Sequence, residues 1–355
     1  MNIYMRNFIL LTINILIFVN FFILIMIYYQ IIRADLFQKY KLILEGKTKP
    51  FILKYIKQQI TLKEMKAYIR NENSKLIAID LFNNLPELNN NDVKEVIKSL
   101  ELDTFLINKI KKKADIKYFK KLVNMNIPSA YDIFLQYTES DDIDIKYTCF
   151  FGLIALEVEQ EKKLHIIKKL LISNIFSDRI IEMLSRQKLN ILDLLSLLYQ
   201  EENEIGKIII LKVLAAKKEI QNPEIADKLL KFLNETKEVR IAAVTALCNS
   251  KNEDYVEKLF ILYLKDTYWE VRAAIAKGMV NFNFMIIKDK LLFMMKDKEW
   301  WVRYNAARTL SFMGEDGVFA LIDLSIMNDD KISALAYYFL NSNKEIYEIV
   351  KNIEG

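Results

Sequence analysis

Only one histidine, His165, stands among 355 residues, and its acid at helical spacing is Glu161, four residues earlier. One imidazole and one carboxylate on a helix face are too few for a metal site or for acid–base work, and a surface i,i+4 pair accounts for them. The two cysteines, Cys149 and Cys248, are 99 residues apart with no CxxC pair, which supports neither a disulfide framework nor a zinc site. Reduced thiols suit a cytosolic body. Two acid clusters, Asp141, Asp142 and Asp144, then Glu201, Glu202 and Glu204, have the composition of paired carboxylates but fall at repeat junctions, where helix caps explain them. Gly314-Glu315-Asp316-Gly317 reads as a turn between helices and not as a phosphate cradle. The sequence therefore predicts no catalytic residue, no metal, no cofactor and no small-molecule substrate.

The elements that carry these residues follow from what is scarce. Seven glycines and four prolines are about 3% of the chain, against roughly 12% in an average one. Sheets with tight turns and doubly wound nucleotide folds need glycines this chain does not have, so an all-α fold is expected. With 52% hydrophobic and 27% charged residues it has the material for a core. The prolines, Pro50, Pro86, Pro128 and Pro223, are expected at helix boundaries.

No charged residue occurs from Asn7 to Ile32, and the 25 residues from Phe8 to Ile32 are mostly Phe, Ile, Leu and Val. As a helix they reach about 38 Å, more than the ~30 Å hydrocarbon core. Tyr28 and Tyr29 fall near its end, at headgroup depth. Arg6 precedes this run, whereas Arg33, Lys39, Lys41, Lys47 and Lys49 follow it. The positive-inside rule places residues 1–6 outside, a transmembrane helix at 7–32 and the rest in the cytoplasm of an inner or plasma membrane, as a single-pass protein. A cleaved signal peptide is the competing reading, against which stand the length of the run and the absence of an A-x-A-like site. A buried helix of a soluble protein is another.

Charge is uneven beyond the span. Residues 33–70, a basic juxtamembrane helical segment, hold ten Lys/Arg against three Asp/Glu, while residues 136–355 hold thirty against thirty-four. Arg33, Lys39, Lys41, Lys47 and Lys49 are therefore candidate contacts for anionic lipid headgroups. A second cluster, Lys109, Lys111, Lys112, Lys113, Lys117, Lys120 and Lys121, suits headgroups or an acidic partner, or is a solvated helix face. Nucleic acid is not expected, because a larger continuous basic surface would be needed.

Three later segments align without gaps: Asn234-ETKE-Val239-Arg240-IAAVTAL, Asp266-TYWE-Val271-Arg272-AAIAKGM and Asp297-KEWW-Val302-Arg303-YNAARTL. Their valines are 32 and 31 residues apart, a helix-pair period. Weaker copies surround Ile145, Ile205 and Ile332, with room for another at Asp178. The Asp or Asn suits free amides at a helix start, and the valine opens a buried stripe. Small residues (Ala243, Ala274, Ala306, Cys149, Ala336) let helices approach, and pairs such as Ala246-Leu247, Gly278-Met279, Thr309-Leu310 and Gly152-Leu153 continue the stripe two turns on. Apolar runs such as YVEKLFILYLK, IIKDKLLFMMK and VFALIDLSIM supply second helices, so the unit is an α-hairpin.

An acid followed six residues later by Arg and then by an alanine-rich helix resembles the HEAT repeat family. That resemblance implies an α-solenoid over residues 71–353, clearest over 226–315. It also implies an acid–arginine ladder between repeats through Asp266 and Arg272, Asp297 and Arg303, with Asn234 and Arg240 as a neutral variant. Trp269 and Trp300 share a register two residues before the repeat valine, with Tyr268 and Trp301 beside them. They are either a partner-binding edge or covers for the interhelix turns. The expected protein is a non-enzymatic, membrane-anchored cytoplasmic scaffold for a membrane-bound protein partner, such as an envelope or exopolysaccharide glycosyltransferase. The rivals are an enzyme resembling the family's bilin lyases or alkylbase DNA glycosylases, and an exported binding protein.

Overall fold

The structure is a computed structural model that describes residues 3–84 and 90–342, so the expectations for residues 1–2, for Pro86 and for 343–353 lie outside it. Every regular element among the described residues is helical. The chain divides into two compact units, Met1–Glu157 and Val158–Gly355.

The first unit contains α1 (Ile3–Ile56), α2 (Leu62–Tyr68), α3 (Glu72–Asn84), α4 (Asn90–Ser99), α5 (Leu102–Lys112), α6 (Ile116–Met125), α7 (Tyr131–Tyr137) and α8 (Ile143–Ala155). The apolar run and the basic segment after it form one helix, because residues 33–56 are mostly good helix formers and the first left-handed residue is Gln58, with φ 57°. Pro50 lies inside α1 and not at its boundary. Its missing N–H would have met the carbonyl of Gly46, and both residues are exposed, so that carbonyl keeps access to water. From Phe18 to Leu36 every side chain of α1 is exposed. At its other end Thr48 and Ile52 are fully buried, and Phe51 stacks on Tyr68 at 4.0 Å. Next comes a capping box: Thr61 accepts from the Glu64 amide while the Glu64 carboxylate accepts from the Thr61 amide.

The second unit contains α9 (Gln160–Leu171), α10 (Ser177–Arg186), α11 (Ile191–Gln200), α12 (Glu204–Ala215), α13 (Pro223–Asp227), α14 (Lys237–Asn249), α15 (Asp254–Lys265), α16 (Trp269–Gly278), α17 (Phe284–Met294), α18 (Trp300–Ser311), α19 (Gly314–Ser325) and α20 (Asp330–Ser342). The first helices of successive hairpins, α10, α12, α14, α16, α18 and α20, pack in series, with second helices such as α11, α15, α17 and α19 against them. Val239, Val271 and Val302 are at most 1% exposed, and Leu247, Met279 and Leu310, two turns on, are fully buried. Each such side chain contributes roughly 1.5–3 kcal/mol through burial.

First helices approach closely at Gly278, where a Cβ would stand 2.3 Å from the Cys248 Sγ of α14, and α19 approaches α18 more closely still at Gly317, where a Cβ would stand 2.0 Å from the Leu310 carbonyl oxygen. One hairpin departs from the pattern: residues 218–234 form 3-10 turns at Lys218–Gln221 and Leu230–Asn234 around the five-residue α13. Asn222 is held extended before Pro223 and caps a new helix by accepting from the Glu224 amide at 3.0 Å. Gly314 to Gly317 are the first turn of α19 and not an interhelix turn, since the reversal occurs at Phe312 and Met313 and is completed by Gly314 at φ 64°.

Candidate functional site

The geometry that organises the second unit begins at the repeat arginines. Arg272 is directed by its own chain, its Nη1 donating to the carbonyls of Asp266 (3.1 Å) and Thr267 (3.2 Å). That fork turns the other edge of the guanidinium toward the next repeat, where Nε and Nη2 donate to the two Asp297 oxygens at 2.8 and 3.1 Å. Asp297 also accepts from the Tyr263 hydroxyl at 2.9 Å and from the Glu299 amide at 2.9 Å. Burial alone would raise the Asp297 carboxyl, but Arg272, the amide and the tyrosine outweigh it and hold its pKa below the ordinary range. Burial, with the Asp297 hydrogen bond added, pushes Tyr263 up.

Arg240 makes a looser version one hairpin earlier: Nη1 donates to one carbonyl, that of Glu235, at 2.6 Å, Nη2 donates to Asp266 at 3.4 Å, and Nε lies 2.9 Å from Asp266 without a directed hydrogen bond. Asp266 caps as Asp297 does, accepting from the Tyr268 amide at 2.9 Å. Asn234 takes no part in a rung among the described contacts; the carboxylate one residue on, Glu235, meets Lys207 of the preceding hairpin at 3.2 Å. Asn234 ends a 3-10 turn, and that places Glu235 at the junction. Beyond the last complete rung, Arg303 keeps its backbone fork but meets no carboxylate among the described contacts.

The aromatic residues at the helix starts are on the surface. Tyr268 is 49% exposed, Trp269 36%, Trp300 47% and Trp301 52%. Trp300 meets Trp301 edge-on at 4.7 Å and stacks on Tyr304 at 5.0 Å, and Tyr304 touches Phe339 of α20. Tyr268 lies beside Lys237 and Arg240 instead. The structure therefore brings Trp300 and Trp301 into one cluster, to which Tyr304, absent from the sequence reading, belongs; its signal was the i,i+4 spacing from Trp300. Among the described ring contacts Trp269 and Tyr268 are not in that cluster.

In the first unit Arg33, Lys39, Lys47 and Lys49 are exposed along α1, where Lys39 pairs with Asp35 at 2.8 Å; Lys41 lies on the same helix. The second basic cluster is divided. Lys109 pairs with Glu72 and Lys121 with Asp80, tying α5 and α6 to α3, and Lys117 meets Asp115 at 3.4 Å. Lys111, Lys112, Lys113 and Lys120 are exposed.

The residues first considered for chemistry have structural surroundings. Burial pushes the Cys248 thiol up to about 12 and raises Cys149 as well, so both stay protonated at neutral pH and are poor nucleophiles. Asp142 caps α8, accepting from the Asp144 amide at 2.9 Å. Glu201 accepts from the Asn203 amide at 2.9 Å and Glu204 from the Thr236 hydroxyl. His165 is exposed, and its expected pairing with Glu161 is not made among the described contacts.

Comparison with known proteins adds a family. A model of HEAT repeats matches residues 191–280 and 256–336. Two crystal structures of engineered proteins are similar to the chain at 16% identity. The first covers 78% of this chain and 85% of its own, with a TM-score of 0.35, and the second 76% and 96%, with a TM-score of 0.22. The search of curated proteins finds no match.

Proposed function

With residues 191–336 made of HEAT repeats, a class of module that presents extended surfaces to other proteins, we propose that the chain is a membrane-anchored scaffold that docks a protein partner. The observation that carries this reading is the exposure of Trp300 and Trp301, about half accessible, in a cluster with Tyr304. Large rings this exposed add little to the core, whereas Trp and Tyr dominate binding hot spots. Tyr268 and Trp269 are exposed at the start of the neighbouring hairpin, outside that cluster, as further candidates for contact with a partner.

The anchor in this reading is α1. Phe18–Leu36 is long and apolar enough to cross a membrane, by length and composition, and none of it is buried against the protein. A helix of a soluble core would be covered; a span or a signal sequence would not. The excess of cations after the apolar run favours a cytoplasmic location for the repeats in an inner or plasma membrane. Exposed Arg33, Lys47 and Lys49, and Lys111 to Lys113 in the same unit, suit anionic headgroups. Tethering would raise the effective concentration of the repeats for a membrane-bound partner. A glycosyltransferase as that partner draws on the architecture alone.

Affinity purification of the full chain in mild detergent tests the scaffold. Trp300→Ala with Trp301→Ala is expected to abolish co-purification of the partner with the thermal midpoint within about 2 °C of the parent, since exposed substitutions stay within about 0.5 kcal/mol. A lowered midpoint with partner retained would return the tryptophans to packing.

A further inference from the structure

Arg303 is 8% exposed and, like that of Arg240, its Nε is buried without a directed hydrogen bond; unlike Arg240, it has no carboxylate at ion-pair distance among the described residues. Its Nη1 donates to the carbonyls of Asp297 (2.7 Å) and Lys298 (2.9 Å), the same fork that Arg272 makes to Asp266 and Thr267. Identical support presents the Nε–Nη2 edge as it is presented in Arg272, where the edge is filled by the Asp297 carboxylate. The position that would supply the next acid, five residues before Ile332, is Met327. Asp329 follows two residues later, and its Oδ1 is used to cap α20, accepting from the amides of Lys331 (2.9 Å) and Ile332 (3.2 Å). Among the described residues the last rung of the ladder is built on one side only.

The open edge borders a cleft of about 560 Å³ lined by Lys296, Lys298, Met327, Asp329 and Lys331. One of its acids, Asp297, is already neutralised by Arg272, so cations prevail there. Met327 is 45% exposed and flexible enough to yield. Arg303 and Lys331 also border a second cleft of about 500 Å³ with Trp300, Tyr304, Leu335 and Tyr338. An arginine donor stripped of water without an acceptor is costly, and a bidentate carboxylate is the group that matches its edge.

We propose that Arg303 is the receptor for a carboxylate of a protein partner, an Asp or Glu side chain that completes the ladder while neighbouring apolar residues of the same segment cover Trp300, Tyr304 and Tyr338. This deepens the scaffold reading and rests on it, by giving the partner's chemistry: an acid following apolar residues, as Asp297 follows Phe293, Met294 and Met295.

The probe is a labelled, C-terminally amidated peptide FMMKDK, a copy of residues 293–298 in which Asp is the sole carboxylate, titrated by fluorescence anisotropy against the full chain in mild detergent. Saturable binding is expected, at least tenfold weaker when the peptide Asp is replaced by Asn and at least tenfold weaker to Arg303→Lys, which keeps the charge and loses the fork. Met327→Asp, which places an acid at the ladder position, is expected to block the peptide and raise the thermal midpoint. This variant keeps the test valid if Arg303→Lys unfolds. Equal binding of the Asp and Asn peptides, no binding at all, or indifference to Met327→Asp overturns the proposal. Competition by acetate at equal concentration would assign the site to small carboxylates and also overturn it. A partner that still co-purifies with Arg303→Lys would sink this inference while leaving the scaffold standing, whereas loss of the scaffold would show in the tryptophan variants.

Discussion

The two units join their helices with the same opposite charges used in different ways. In the first, lysines make the ties at or near the surface: Lys66 to Glu101 at 2.6 Å, Lys109 to Glu72 and Lys121 to Asp80, the side chains of Glu101 and Glu72 being 71% and 42% exposed and that of Lys121 19%. In the second, arginines are sunk between hairpins, and the side chains of Arg272 and Asp297 are 8% and 6% exposed. A lysine is a point charge on a flexible stem and tolerates a loose partner; an arginine fork requires its acceptors in place. The lysine pairs therefore decorate helix packing that apolar contacts already hold, whereas the two arginine rungs tie the hairpins begun by α14, α16 and α18 to one another.

Removing one member of each kind of pair should separate them most. Asp297→Ala leaves the Arg272 edge buried and unmatched, and an expected loss of about 3–5 kcal/mol follows. Glu72→Ala, in the first unit, should cost no more than about 1 kcal/mol. Hydrogen exchange of the full chain, read segment by segment, measures both; equal losses would erase the distinction. Arg272→Met combined with Asp297→Leu should recover much of the first loss, since no charge is then left unpaired.

Packing, in contrast, is shared. A Cβ at Gly278 would meet Cys248 Sγ at 2.3 Å in the second unit, and one at Gly152 would meet the Phe134 ring at 2.7 Å in the first. Neither neighbour has room to retreat, as both are at most 1% exposed. Gly278→Ala and Gly152→Ala are each expected to cost about 1–3 kcal/mol by overpacking. Cys248→Ala should return part of the first loss by removing the sulfur. Thermal unfolding of the two single variants and the double variant checks this, and a Gly278→Ala protein as stable as the parent would show that the helices are not in close contact there.

How much of this was legible in the sequence differs between the units for a physical reason. Val239, Val271 and Val302 announce the second unit because one solution to hairpin stacking is repeated, and repetition makes a weak local pattern readable. Departures from the repeat were not readable. Proline at 223 showed a boundary but not that residues 218–234 break into short turns, and Glu235, one residue off register, replaces Asn234 in its rung. The open rung at Arg303 was hidden in a spacing of 30 residues from Val302 to Ile332, where the ladder position five residues before Ile332 is Met327 and the acid, Asp329, comes two residues later. In the first unit nothing repeats clearly, so α1 running through Pro50, and the ties of Lys109 and Lys121 to α3, became visible only when distant residues were placed together.

The smallest expected effects concern salt and acid, and they sharpen the comparison furthest. Glu72 is held below the ordinary carboxylate range first by Lys109, and Asp297 is lowered by Arg272 against its burial. In both cases the folded pKa lies below the unfolded one, so each contributes stability that is complete above the unfolded value, about 4, and is lost as pH falls through the folded value. Acid alone therefore weakens both units with the same sign. Salt does not act alike, because exposed charges are screened within a Debye length of about 3 Å at 1 M, while a pair between packed hairpins is shielded from the ions. Raising salt from 0.05 to 1 M at pH 7 should increase exchange around Glu72 and Lys109 by a few-fold at most and leave the amides around Asp297 unchanged. The acid-induced rise in exchange near Asp297 should persist in 1 M salt and be flattened by Asp297→Asn. If salt protected or exposed both regions equally, the ladder would have to be regarded as a surface feature, and its arginines as no different in kind from the lysines of the first unit.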